Sequence, residues 1–164
     1  MTQTEAIENK ILSDKNLEKR IEDWRSRKLK IVFTNGCFDL LHLGHVDYLA
    51  KAADAGDRLI IGVNTDTSVH RLKGKNRPLQ DESSRLHILA SLQMVDAVIL
   101  FDEDTPYNLI SRVQPDILVK GADYKVEDIV GYDIVTKRGG KVMTLEYLAG
   151  YSTTAIEQRI LNSK

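Results

Sequence analysis

The chain has 164 residues, 42% hydrophobic and 29% charged, with a formal net charge of −1, which fits one globular domain around a single core. That charge leaves no global basic field for nucleic acid and 6% aromatic content offers few base-stacking platforms, so any anion site must be local. A lone cysteine, Cys37, excludes an internal disulfide or cysteine zinc cluster, apolar runs such as Leu59–Val63 are too short to span a bilayer, and polar Met1–Lys10 is no secretory signal, so a cytoplasmic protein with no membrane or nucleic-acid partner is expected.

Residues 4–28 read as helical, because Ile7, Ile11, Leu17, Ile21 and Trp24 recur at roughly helical spacing among charges. Ser13-Asp14 is a candidate break within them. This N-terminal helical extension (1–28) is expected to pack on the domain that follows (29–164) or on a second subunit. Five short apolar runs come next: Lys30–Thr34, Leu59–Val63, Ala97–Phe101, Ile117–Val119 and Lys141–Leu145. Segments of helical spacing separate them, at Val46–Ala55, Ser83–Met94, Tyr107–Val113 and Glu127–Arg138, and Thr153–Leu161 closes the chain. The alternation predicts an α/β fold, a parallel five-stranded sheet with helices on both faces. Pro78, Pro106 and Pro115 all fall between elements.

The most informative segment is IVFTNGCFDLLHLGH, Ile31–His45. An apolar strand runs into Asn35-Gly36, a turn signal, and a helix is expected to start near Gly44-His45. Open parallel sheets bind ligands at the carboxyl ends of their strands, and a helix N-terminus there attracts phosphate. Gly36 and Gly44 allow close backbone approach. His42 and His45, three apart, can face one anion and donate to it. Bland readings compete: a plain turn, surface histidines, or a metal site with Asp39 or Asp47 as third ligand. No HEXXH glutamate or cysteine cluster supports a metal centre. Gly74-Lys75 lacks the context of a Walker loop, and no GxGxxG follows the first strand.

HLGH at 42–45 resembles the HxGH signature of the nucleotidyltransferase superfamily, a Rossmann-like group. The longer TNGCFDLLHLGHVDYL resembles the adenylyltransferase family that makes ADP-heptose, a lipopolysaccharide precursor, from D-glycero-D-manno-heptose 1-phosphate. The similarity continues through GDRLIIGVNTD (56–66), RLKGKNRP (71–78), DILVKGADY (116–124) and GYSTTAIEQRI (150–160). It covers roughly residues 30–161, and five segments in order are far more specific than HxGH alone.

The resemblance implies transfer of AMP from ATP to a sugar 1-phosphate, with Mg²⁺ and release of pyrophosphate. His42, His45 and Lys73 would be the catalytic groups. Asn35, Gly36, Cys37, Phe38, Gly44, Arg77, Gly121, Asp123, Ser152, Thr153 and Thr154 would hold the nucleotide. Asp39, Asp66 and Arg85 are candidates for the acceptor side, Asp39 or Asp66 also for placing Mg²⁺.

The residues add their own reasons. Arg71, Lys73, Lys75 and Arg77 cluster within RLKGKNRP, either a solvated loop or a flexible basic arm that closes over a triphosphate. Ser152, Thr153 or Thr154 is expected to cap the last helix, a use compatible with phosphate binding. Gly121 would let a base or ribose lie against the backbone, and Asp123 would accept from a hydroxyl or amine; a strand-end turn is the plain alternative. Arg85 reads equally as a supporting residue or a helix-face ion pair, and Cys37 as a small packed residue. The heptose enzymes usually show KGGDY, so Ala122 is a departure that matters only if that position needs a positive φ. Glycerol-3-phosphate cytidylyltransferases carry an arginine upstream of the Ser/Thr turn, whereas LEYLAG has none.

Because relatives are often fused to a sugar kinase and residues 1–29 are too few to be one, a separate kinase is the expected supplier of the 1-phosphate. A homodimer is compatible with the N-terminal helix and the family pattern. Two other functions stay open: a cytidylyltransferase acting on glycerol 3-phosphate or a similar phosphate, and a non-catalytic nucleotide-binding module. A metal-dependent hydrolase working through the two histidines is a third.

Overall fold

A computed structural model describes residues 1–163; Lys164, the end of the expected domain, lies outside the described residues. The elements run in chain order: α1 (Gln3–Glu8), β1 (Ile11–Leu12), α2 (Asp14–Ser26), β2 (Ile31–Gly36), α3 (Leu43–Ala53), β3 (Arg58–Asn64), α4 (Asp66–Lys73) and α5 (Glu82–Ser91). They continue with β4 (Ala97–Phe101), α6 (Tyr107–Val113), β5 (Ile117–Gly121), a 3₁₀ turn at Val126–Asp128, α7 (Tyr132–Lys137), β6 (Lys141–Leu145) and α8 (Thr153–Leu161). Every strand pair is parallel, in the order β1-β4-β3-β2-β5-β6.

The inner strands are apolar on both faces because both are covered. Alternate side chains divide between two cores. Ile31, Phe33, Ile60, Ile99 and Leu118 pack with α2, α6 and α7 through Leu17, Ile21, Trp24, Ile110 and Val135. Val32, Leu59, Ile61, Val98 and Val119 pack with α3 and α5 through Tyr48, Leu49, Leu86 and Leu89. Each fully buried aliphatic or aromatic side chain contributes about 1.5–3 kcal/mol.

The fold is the expected Rossmann-like α/β sheet, but it has six strands, not five. Ile11 and Leu12, read as part of a helix, pair with Val98 and Ile99 at the sheet edge. Ser13 then caps α2 near the predicted break. The spacing of Ile7 and Ile11 is shared by a helix and by a turn into an edge strand, and only the free edge of β4 separates the two. The apolar face of α2 goes into this domain's own core. A second difference lies at Asp66–Lys73, given no element beyond the start of the basic arm at Arg71, which forms α4. Glu127–Arg138 shortens to a 3₁₀ turn and α7, with Gly131 at φ 91° between them.

Candidate active site

The chain lays β3 and β4 to one side of β2, then crosses back to place β5 on the other. The crossovers diverge between β2 and β5, which is where an open α/β sheet forms its binding crevice. A cleft of about 620 Å³ opens there. The tips of β2 (Asn35, Gly36) and β5 (Lys120, Gly121) form its floor, and α3 brings His42 and His45 to its wall.

His42 is the N-cap of α3, in extended backbone. Its N–H donates to Nδ1 of His45 at 3.3 Å, and the two rings stack with centroids 3.9 Å apart. With Nδ1 accepting, the neutral His45 ring carries its proton on Nε2 and is a hydrogen-bond donor. Phe38 meets His45 edge-on at 5.4 Å and adopts a left-handed φ of 51°. Burial pushes the His45 pKa down to about 4, helped by His42 and Lys73. Burial also lowers that of His42, whose Nδ1 is buried without a partner. Both imidazoles are therefore neutral donors near neutral pH until an anion arrives.

The glycine between them is a steric requirement. A Cβ on Gly44 would stand 2.9 Å from both Cε1 and Nδ1 of His42. Beneath the site, the Tyr48 hydroxyl bridges Thr34 Oγ1 at 2.9 Å and the Val119 carbonyl at 3.2 Å. That buried network ties α3, β2 and β5 together, and burial raises the Tyr48 phenol well above its ordinary value.

Two basic residues of the predicted arm line the cleft, Lys73 and Arg77. Lys73 is the last residue of α4, so its backbone is held by a helix end rather than by a free arm. Arg77 pairs with Glu157 of α8 and lies 3.9 Å from Asp39. Ser152 caps α8, its Oγ accepting from Ala155 N at 3.0 Å, and Ser152 and Thr153 both line the cleft. Cys37 lines it too, with burial raising its thiol pKa, in keeping with an inert, packed role. Asp123 and Gly121 stand at the other side, but Tyr147 lies on Gly121: a Cβ there would come 1.9 Å from the Tyr147 hydroxyl. Ala122 needs no positive φ.

Thr154, Asp66 and Arg85 do not line the cleft. Arg85 is 1% exposed. Its guanidinium donates to the carbonyls of Cys37 and Asn64 at 2.8 Å, to Gln80 O at 3.1 Å and to Asp66 Oδ1 at 2.9 Å. It fastens the tips of β2 and β3 to the start of α5 and engages Asp66, so neither faces an acceptor here. Asp39 lines the cleft but is 6% exposed and accepts from the N–H groups of Leu79 and Gln80, anchoring the loop that carries Arg77. Asp47 is paired with Lys51 at 2.7 Å. Among the described residues, no three His, Cys, Asp or Glu side chains gather in a way that would hold a metal ion.

The cytidylyltransferase-like family model matches residues 33–159, which takes in the strand tip, the histidine pair and most of α8. This chain belongs to that family of nucleotidyltransferases. It is 53% identical over 155 residues to the bifunctional protein HldE of Nitrobacter hamburgensis, covering 94% of this chain and 32% of that protein. The corresponding HldE of Citrifermentans bemidjiense is 56% identical over 138 residues, 84% of this chain and 28% of the other. The chain thus spans about a third of the length of the curated relatives it matches. Among solved structures, a lipopolysaccharide core biosynthesis protein from Thermoplasma volcanium superposes with a TM-score of 0.60 at 35% identity, over 73% of this chain and 97% of that one. A pantoate–β-alanine ligase from Francisella tularensis shares the fold alone, with a TM-score of 0.53 at 19% identity over 93% and 76% of the two chains.

Within this nucleotidyltransferase cleft, residue-by-residue reading passed over Lys120 and the tyrosines. Four of the chain's six tyrosines, Tyr48, Tyr124, Tyr147 and Tyr151, line one cleft. Their separation along the chain hid this, although KGADY was already marked as a strand end and would have exposed Lys120.

Proposed function

We propose that this chain is an adenylyltransferase that joins AMP from ATP to a sugar 1-phosphate, by resemblance D-glycero-D-manno-heptose 1-phosphate, and releases pyrophosphate. The observation that carries the reading is the pair of stacked neutral imidazoles at the amino end of α3, beside the tip of β2, in a cleft that also holds Lys73 and Arg77. Identity above one half to HldE proteins, and the lipopolysaccharide core biosynthesis neighbour, support a sugar acceptor.

A phosphate oxygen of the sugar 1-phosphate attacks the α-phosphorus of ATP. The new O–P bond forms as the bond from the α-phosphorus to the α–β bridging oxygen breaks, and the electron pair departs with pyrophosphate. The nucleophile is already an anion, so no base has to remove a proton; the obstacle is accumulated negative charge. His45 Nε2–H, His42, the free N–H groups of the α3 and α8 amino ends and the ammonium of Lys73 supply donors and positive potential for the phosphate chain. Mg²⁺ keeps several waters and takes few protein ligands beside substrate phosphates, so the Mg²⁺ of this reaction would enter with the triphosphate as part of the substrate.

A kinase reaction must supply the 1-phosphate, and the relatives' description as bifunctional fits a second activity outside the matched third. A cytoplasmic setting suits these substrates, and no described helix is long and apolar enough to cross a membrane. Assembly as a homodimer remains part of this reading and is read by sedimentation.

The test is a panel of ATP, CTP, GTP and UTP against heptose 1-phosphate, other sugar 1-phosphates and glycerol 3-phosphate, with pyrophosphate as the readout. Release is expected with ATP and a sugar 1-phosphate. Release with CTP and glycerol 3-phosphate would make it a cytidylyltransferase. Tight ATP binding without release under any acceptor would make it a non-catalytic module.

A further inference from the structure

Lys120 is a cation of the cleft that the reaction as described leaves unused. It ends β5 one residue before Gly121, is half-buried, and donates only to Asn35 Oδ1, at a long 3.4 Å. Its ammonium also lies 5.2 Å from the centre of the Tyr124 ring, and among the described residues it makes no ion pair. A desolvated ammonium held by one long hydrogen bond and an aromatic face is poorly compensated, and an incoming anion relieves that cost. Burial accordingly lowers its pKa, opposed by the charge of Asp123.

The strand pleat shows which side of the sheet it serves. Phe33 and Leu118 point to the face covered by α2, α6 and α7, so Asn35 and Lys120, two residues on, emerge on that same side. Thr34 and Val119 point to the other face, where the Thr34 hydroxyl bonds to Tyr48 of α3 and the Val119 side chain packs in the same core as Tyr48, on the helix that carries His42 and His45. The imidazoles and Lys120 thus approach the end of the sheet from opposite sides. In-line displacement requires the entering and leaving oxygens to lie on opposite sides of the α-phosphorus.

We propose that Lys120, positioned by Asn35, binds the phosphate of the acceptor and holds its attacking oxygen opposite the pyrophosphate side, which the α3 histidines serve. This rests on the nucleotidyltransferase reading above. Lys120 is then a specificity-determining residue for phosphorylated acceptors: a bare sugar hydroxyl would leave the ammonium uncompensated.

The experiment compares wild type, Lys120→Met and Lys120→Arg, each checked for fold by circular dichroism. Calorimetry measures binding of α,β-methylene-ATP, and then of a sugar 1-phosphate to the analogue-saturated protein. Lys120→Met is expected to weaken the sugar phosphate at least tenfold while changing analogue affinity less than twofold, with Lys120→Arg recovering part of the loss. In turnover, the acceptor KM should rise while the ATP KM holds. Equal loss of analogue affinity would place Lys120 on the triphosphate, and unchanged sugar phosphate affinity would make it structural; either overturns the proposal. The two readings separate cleanly. Lys120-dependent sugar phosphate binding without pyrophosphate release in wild type would sink the transferase and leave Lys120 standing. Normal release with an unaltered acceptor KM in Lys120→Met would do the reverse.

Discussion

His45 reaches the cleft as a neutral ring whose Nδ1 is held by the His42 N–H and whose proton therefore sits on Nε2. In the proposed transfer, an alanine there removes one preorganised donor from the phosphate chain, a loss of about 3–4 kcal/mol or roughly 10²–10³ in rate. A His45→Ala protein should keep its circular dichroism spectrum and lose at least that much pyrophosphate release; near-normal turnover would remove His45 from the mechanism. The same ring ties stability to pH. The unfolded imidazole takes up a proton near 6.5, while the folded one resists until about 4. Above about 6.5 this residue makes no pH-dependent contribution, and as pH falls from there to about 4 it draws the protein toward the unfolded state. Thermal melts over that range should show a shallower decline in His45→Ala than in wild type, and parallel declines would contradict the neutral assignment.

At the level of elements, the site exists because strand tips and helix starts are fastened together. Arg85, on the first turn of α5, is the fastener between β2 and β3. Replacing it with methionine keeps much of the volume but leaves the buried Asn64 carbonyl, the half-buried Cys37 and Gln80 carbonyls and the partly exposed Asp66 without their donor, which costs about 1–3 kcal/mol. Urea denaturation of Arg85→Met should show that loss, together with lower activity as the Cys37 and Gln80 segments relax. A midpoint within the error of wild type would mean that water substitutes for the guanidinium. The α3 start obeys a comparable constraint, since the His42 ring occupies the volume that a Cβ on Gly44 would take. The HxGH spacing is thus steric as well as electrostatic.

For the molecule as a whole, the N-terminal segment closes the structure. β1 covers the edge of β4, and Leu12, Leu17, Ile21 and Trp24 enter the same core as the central strands. An open β4 edge would invite pairing with other chains. Trp24, the sole tryptophan, is 4% exposed, so Trp24→Ala should lower the unfolding free energy by about 3–5 kcal/mol, measured by denaturation followed by circular dichroism. A cost below about 1 kcal/mol would show that the segment is attached to the domain without stabilising it.

Much of this was legible along the chain because its signals are local. Ala97–Phe101, Tyr107–Val113, Lys141–Leu145 and Thr153–Leu161 have the bounds that their apolar runs and caps predict, since neighbouring residues set strand periodicity and helix capping. HLGH could be read likewise, because its two rings and intervening glycine share one helical turn. Whether Ile11-Leu12 would coil or pair depended on a free edge contributed by residues almost ninety positions away. The duties of Asp39, Asp66 and Arg85 followed from partners on other elements. The placing of Lys120 across the sheet from His42 and His45 followed from strand order and pleat. Amino-acid order alone determined most of the elements and the HLGH turn. Tertiary structure decided which charges are used up in holding the fold and which are left for a ligand, because burial and pairing depend on neighbours that only folding brings together.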